Sequence, residues 1–387
     1  MKSIFKVAVI GGGTMGADLA ALIARSDMPV VVKELNAELA EKLKGQLDQR
    51  IDGWREKGKI NESRAEHLKM LCSTTSTYED MRDADLVIEA ITEIPELKIE
   101  VFQEVGELLP DAILTSNTSS ITIENLSVGV KNPERMAGMH FFNPPTQVPL
   151  VELIPSNSTS DDTLESLEIF AVETLARKTI RVKDRPGFLI NPLLGAYLVP
   201  AIRALENTDI KLEALDALAG KNGFGWKMGP FVLLDMMGID LVKEVMDNLF
   251  AAYGERFSPS HLVNTLVSMG RLGQKTGAGF YGGTETLDAL LEREFPNRGA
   301  GEAEEIFTRM MYSMVNEAAL ALQDDVASAN DIETGCLFGL GFPQAKGGPL
   351  HYADEVGAAK IAENLGESAC PLLRDMARIG NTFFSSW

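Results

Sequence analysis

Six short apolar runs, KVAVIG, PVVVKE, DLVIEA, AILTSN, RMAGMH and LVELIP, alternate with segments of helical length between Lys6 and about Ile154. A run that is apolar throughout has both faces buried, which is the condition of strands in a parallel sheet covered by helices on each side. The first half of the chain therefore reads as parallel α/β. Between the second and third runs, residues 37–70 are helix formers rich in charge, with Lys44, Arg50, Arg55, Lys57 and Lys59 among them. A crossover needs only about a dozen residues, so this stretch predicts a helical hairpin projecting from the sheet.

After DRPGFLINPLL the strand signal ends. Residues 193–205, 211–219 and 233–253 carry helical spacing, RLGQKTGAGFYGG closes a first helical domain at 283, and 284–301 reads as a linker. A repeat follows. GFGWKMGPFVLLDMMGID is echoed by GLGFPQAKGGPLHYADEVGAA, aligning Pro230 with Pro349, Asp235 with Asp354 and Gly238 with Gly357 at a constant offset of 119. The expected plan is thus an α/β domain over 1–184, an all-α domain over 185–283 and its duplicate over 300–387.

Bulk properties exclude several classes. A formal net charge of −20 over 387 residues leaves no basic stripe for nucleic acid, though local Lys and Arg can still hold a small anion. No apolar stretch reaches the length of a membrane span, and MKSIFKVAVIGGG enters a strand without a leader pattern, which predicts a cytoplasmic protein. Cys72, Cys336 and Cys370 are odd in number and lack CxxC spacing, so they read as core residues and no metal site is expected.

Gly11-x-Gly13-x-x-Gly16 follows the first strand and opens a helix at Thr14. In that context the first glycine makes a tight turn, the second lets backbone approach a pyrophosphate and the third lets helix pack on strand; this is the Rossmann fingerprint. Glu34 ends the second strand, where a carboxylate can accept from a ribose 2′-OH and repel a 2′-phosphate, favouring NAD over NADP. Lys33 should point to the opposite face. A Rossmann-like domain holding FAD, or no nucleotide, is the alternative.

Oxidation of an alcohol by a nicotinamide needs a base for the hydroxyl proton, and histidine suits neutral pH. Of four histidines, His140 alone ends a predicted strand of the α/β half, and Glu152 follows within the apolar run LVELI. A carboxylate there is costly unless paired, and pairing with imidazole would fix its tautomer. The competing reading is a satisfied core histidine and a strand-end carboxylate facing water.

GGGTMG, DLVIEAITE, SNTSSI, HFFNPP, LVELI, DRPGFLIN, MGPFVLLDMMGID and KTGAGFY stand in the order and spacing of the L-3-hydroxyacyl-CoA dehydrogenases of fatty-acid β-oxidation, which residues 6 to about 283 resemble. With its duplicated helical domain the chain resembles the dehydrogenase part of multifunctional β-oxidation enzymes, which join that part to an enoyl-CoA hydratase domain. The resemblance implies NAD-dependent oxidation of (S)-3-hydroxyacyl-CoA, with His140 as base, Glu152 orienting it, and Ser119 and Asn191 on the substrate oxygen. It implies cofactor contacts by Gly11, Gly13, Met15, Gly16, Glu34, Glu93, Lys98, Asn143 and Lys275, and acyl-CoA contacts by Arg50, Lys57 and Tyr352. Hydratase and thiolase components are the implied partners, in a monomer or a homodimer.

Alternatives stay open at this stage. Ser119 lies in TSSITIE, which also reads as a helix cap; Lys98, Arg50 and Lys57 also read as solvated helix charges. Pro192 stands where the family usually has Arg, which makes Asn191 a candidate N-cap. QVPLVE replaces a more usual VPVMKLVE, leaving His140 and Glu152 in place. Rival functions are a hydroxyacid dehydrogenase of the 6-phosphogluconate type and a non-catalytic subunit of a β-oxidation assembly.

Overall fold

The computed structural model describes residues 2–384. The chain divides into two compact units, one ending at Arg185 and the other beginning at Pro186.

The first unit is an eight-stranded sheet in the order β3-β2-β1-β4-β5-β6-β7-β8. Its strands are β1 (Val7–Ile10), β2 (Val30–Lys33), β3 (Cys72–Thr75), β4 (Leu86–Glu89), β5 (Ile113–Ser116), β6 (Met136–Phe141), β7 (Leu150–Pro155) and β8 (Lys178–Arg181). All six expected strands form. The expectation of a parallel sheet needs one correction: β7 runs antiparallel to β6, and β8 then pairs parallel with β7. Only a short loop joins β6 to β7, and a link of that length cannot make a parallel crossover.

Helix α1 (Thr14–Arg25) buries Leu19, Ala20 and Ile23 against the sheet. The hairpin over 37–70 is present as α2 (Ala37–Glu56) and α3 (Glu62–Leu71), each capped by an Asn side chain, Asn36 and Asn61. Ile51, Ala65 and Leu68 close the hairpin with their own small core. Helix α4 (Pro95–Leu108) ends on the buried guanidinium of Arg135, which donates to the carbonyls of Gly106, Leu109 and Ala112. Of these, the Gly106 carbonyl is one of the acceptors a helix C-terminus leaves unmet. This unit also carries two short helices, α5 (Ile123–Leu126) and α6 (Asp161–Ile169).

The second unit is helical, from α7 (Ile190–Asn207) and α8 (Leu212–Ala219) through α9 (Pro230–Met237), α10 (Ile239–Tyr253) and α11 (His261–Ser268). The stretch 233–253 is therefore two helices: Gly238, at φ +98, turns the chain between α9 and α10. The expected linker 284–301 contains α12 (Leu287–Glu294), whose Leu287, Leu290 and Leu291 are buried. The chain continues with α13 (Ala303–Gln323), α14 (Ala329–Gly335), α15 (Pro349–Val356), α16 (Ala358–Leu365) and α17 (Pro371–Ile379).

Duplication is visible in the hydrogen bonds. Asp235 on α9 accepts from the backbone N–H groups of Phe280 and Tyr281; Asp354 on α15 accepts from those of Phe383 and Phe384. At the start of α9 the Asp216 carboxylate takes the Phe231 N–H, and at the start of α15 Glu333 takes that of Leu350. Each repeat thus supplies its own anion to a helix N-terminus, where orphan donors and the dipole favour it. α7 packs on α13, and Trp226 of GFGW meets Phe342 of GLGF with ring centroids 5.1 Å apart.

Candidate active site

The glycine turn behaves as its spacing predicts. Gly11 has φ +98, and a Cβ on Gly16 would stand 1.8 Å from the Gly11 carbonyl oxygen, so α1 can pack this closely only on glycine. A Cβ on Gly13 would meet nothing within 4 Å, which leaves the backbone at the start of α1 open to a ligand. Met15 packs half-buried against the sheet core. Glu34 folds onto the turn: its two oxygens accept from the N–H groups of Gly12 and Leu35, both at 3.0 Å. A carboxylate has about four acceptor sites, so capacity for ribose hydroxyls remains. Lys33 sits on the other face, its ammonium 4.3 Å from the Tyr78 ring centroid. These residues fit a dinucleotide with a free 2′-hydroxyl.

His140 and Glu152 are register partners on β6 and β7. Nδ1 lies 2.7 Å from Glu152 Oε2; Glu152 is wholly buried and His140 nearly so. The alternative of a carboxylate facing water is overturned. The His140 ring also lies against Phe142, with centroids 4.5 Å apart. Beyond it, Asn143 is exposed and precedes a cis peptide to Pro144.

The polar residues of SNTSSI lie at and just beyond the end of β5. Ser116 Oγ donates to Glu89 at 2.6 Å, and Asn117 Oδ1 accepts the Phe141 N–H at 2.8 Å, tying this turn to the strand that carries His140. Thr118 Oγ1 and Ser120 Oγ donate to Glu93 Oε1, as do the backbone N–H groups of Ser119 and Ser120. The helix-cap alternative goes to another residue: Asp184 of DRPGF, not a hydroxyl of TSSITIE, accepts the Ile123 and Glu124 N–H groups at the start of α5. Burial raises the Asp184 carboxyl, while those backbone donors oppose the rise.

Lys98 is not a solvated charge. It is 1% exposed, with its ammonium 2.6 Å from Glu89 and 3.2 Å from Glu93. Burial pushes the Glu93 carboxyl upward, but the charge of Lys98 and hydrogen bonds from Thr118 and Ser119 outweigh it and hold it below its ordinary value. Glu89 was missed by sequence reasoning, although the logic that picked Glu152 applied: it is a carboxylate inside the apolar run DLVIEA. Nothing local marks Asn117 or Asp184, whose partners lie 24 and 60 or more residues away.

Other expected contacts are distributed as follows. Arg50 on α2 bonds the carboxylate of Asp18 on α1, and Lys57 caps the C-terminus of α2. In the helical unit, Asn191 lies inside the first turn of α7, which begins at Ile190, so the N-cap expectation is corrected. Lys275 pairs with Asp240. Tyr352 on α15 meets Phe224 edge-on at 5.4 Å, and burial lifts its hydroxyl to about 12.

Comparison with known proteins follows the same division. Residues 6–185 match the family model for the NAD-binding domain of 3-hydroxyacyl-CoA dehydrogenase, and residues 187–283 and 306–380 match the model for its C-terminal domain. The fatty acid oxidation complex subunit alpha of Idiomarina loihiensis is 34% identical over all of this chain, which spans 56% of that relative's length. A crystal structure of 3-hydroxybutyryl-CoA dehydrogenase from Escherichia coli is similar with a TM-score of 0.87 and 27% identity, covering 98% of this chain and 99% of that one. The dehydrogenase part of multifunctional enzyme 1 from C. elegans shares the fold at a TM-score of 0.67 and 24% identity, over 97% of this chain and 90% of that one. This chain belongs to the 3-hydroxyacyl-CoA dehydrogenase family.

Proposed function

We propose that the protein oxidises an (S)-3-hydroxyacyl-CoA to the 3-ketoacyl-CoA with NAD, as a step of fatty-acid β-oxidation. The observation that carries this reading is the buried His140–Glu152 pair, with His140 one residue from the carboxyl end of β6, the side of an open α/β sheet on which ligands bind. Glu152 accepts the Nδ1 proton, which leaves Nε2 as the basic nitrogen. His140 takes the proton of the 3-hydroxyl as hydride leaves C3, and returns it in the reverse direction. The dinucleotide, held by Gly11, Gly13, Gly16 and Glu34, supplies the hydride acceptor when bound. Ser119 holds the oxygen that becomes the carbonyl. Asn191, Lys275 and Tyr352, on the helical unit, and Arg50 and Lys57, on the hairpin, enter through the family resemblance as substrate or cofactor contacts.

A cytoplasmic location and hydratase- and thiolase-type partners complete the proposal. No helix among the described residues is long and apolar enough to cross a membrane. The test is NADH consumption with acetoacetyl-CoA and with longer 3-ketoacyl-CoAs. Oxidation of NADH is the expected result, and no oxidation with any chain length overturns the reading.

A further inference from the structure

Glu89 has no part in the mechanism above, yet both of its carboxylate oxygens are engaged inside the sheet. It ends β4 in the register row Ile10–Glu89–Ser116 across β1, β4 and β5, at the switch where the glycine turn leaves the sheet. It has no exposure to water, so its charge stands only if its oxygens are engaged. They are: Oε1 accepts from Lys98 Nζ and the Ile91 N–H, each at 2.6 Å, and Oε2 accepts from Ser116 Oγ at 2.6 Å.

From Glu89 two lines of contact lead upward. One runs through Lys98 to Glu93 at 3.2 Å, and from Glu93 Oε1 to the Ser119 backbone N–H at 3.0 Å. The other runs through Ser116, whose Oγ accepts the Thr118 N–H at 3.2 Å. Both end on the turn that presents Ser119. Without Glu89 the ammonium would keep only Glu93 and the Ile91 carbonyl at 3.3 Å; gripped also by a carboxylate fixed in the sheet, it holds Glu93 in one place.

We propose that Glu89 is a positioning residue for the dehydrogenase reaction, acting through Lys98, Glu93 and Ser116 to set the Ser119 turn above the sheet. The inference rests on the proposed function. It assigns Lys98 a task of its own, as the link between two carboxylates.

The test is Glu89→Gln in the 387-residue chain, which keeps size and hydrogen-bonding capacity but removes the anchor charge. With NADH and acetoacetyl-CoA at saturation, kcat should fall by about 10- to 100-fold, the range expected when a supporting contact or about 1 Å of placement is lost. KM for NADH should change less than kcat, because Gly13, Gly16 and Glu34 make no contact with Glu89. The isotope effect on kcat with deuterated NADH should rise as hydride transfer becomes slower than product release. Glu89→Asp, which keeps the charge but shortens the reach, should show the same pattern more weakly and covers the case in which the Gln variant does not fold.

A soluble, folded variant with wild-type kcat and an unchanged isotope effect overturns the assignment. So does a rate loss that merely tracks the fraction of protein folded. If the wild-type protein itself consumes no NADH with any 3-ketoacyl-CoA, the dehydrogenase reading falls first and Glu89 falls with it.

Discussion

His140 and Glu152 face each other across the antiparallel pairing of β6 and β7, with Nδ1 2.7 Å from Oε2. In a two-strand register the side chains of opposed residues share a face, so the geometry of the pair is set by the backbone ladder before any loop is placed. Removing the charge while keeping the shape isolates its role. Glu152→Gln should lower kcat by at least about 100-fold, through loss of the correct tautomer and of the charge that supports the imidazolium. NADH affinity, read by fluorescence titration, should change little. A variant with near-normal turnover would reduce Glu152 to a structural residue.

Glu34 folds its carboxylate onto the glycine turn, bonded to the Gly12 and Leu35 N–H groups. Glu34→Ala should weaken NAD by roughly 10- to 100-fold, the worth of a charge-assisted hydrogen bond of about 1.5–3 kcal/mol. It should also narrow the preference over NADP. An unchanged ratio of kcat/KM for the two coenzymes would contradict the role given to this residue.

The pH dependence of the Ser119 turn follows from Glu93. Its folded carboxyl is held below its ordinary value near 4.5, so the stability it contributes is complete above the unfolded value and is lost as pH falls through the lower folded one. Glu93→Gln should therefore be less stable than wild type at neutral pH, by about 1–3 kcal/mol in urea unfolding, with the gap closing on acidification. A gap that widens toward acid would mean the carboxyl is raised instead.

The two helical repeats differ in how deeply they bury the same device. Asp235 is 6% exposed and holds the Phe280 and Tyr281 N–H groups, whereas Asp354 is half-buried and holds those of Phe383 and Phe384. Asp235→Ala should cost about 2–4 kcal/mol and Asp354→Ala about half of that, since water can reach the donors freed in the second repeat. Equal losses, measured by denaturant unfolding, would argue against this view of the duplication.

What was legible in the sequence, and what was not, has a common physical basis. The six interior strands were readable because both their faces are buried. CSTT and KTIR were not, because they form β3 and β8, the two edges of the sheet, where polar residues are tolerated. The repeat was readable from Pro230, Asp235 and Gly238 because helix starts and stops keep their residue types. The break at Gly238 and helix α12 were obscured, the first by apolar residues continuing on both sides and the second by a Gly-rich, acidic stretch.

Among the candidate site residues, Glu152 and His140 stand out in the sequence as a charge and an imidazole in apolar runs. SNTSSI was singled out for one hydroxyl, whereas most of its polar atoms serve Glu89, Glu93 and the Phe141 N–H. Those partners lie on other strands and loops, and no local pattern reports a contact of that range.

The central claim is that His140 is the base in hydride exchange between a nicotinamide and a 3-hydroxyacyl thioester. Its most direct test is the rate of NADH consumption with acetoacetyl-CoA by wild type and by His140→Ala, with NADH binding measured on the same samples. The account predicts turnover by the wild type, a loss of at least about 1,000-fold in the variant and NADH affinity within a few-fold. Wild-type rates in the variant would contradict it.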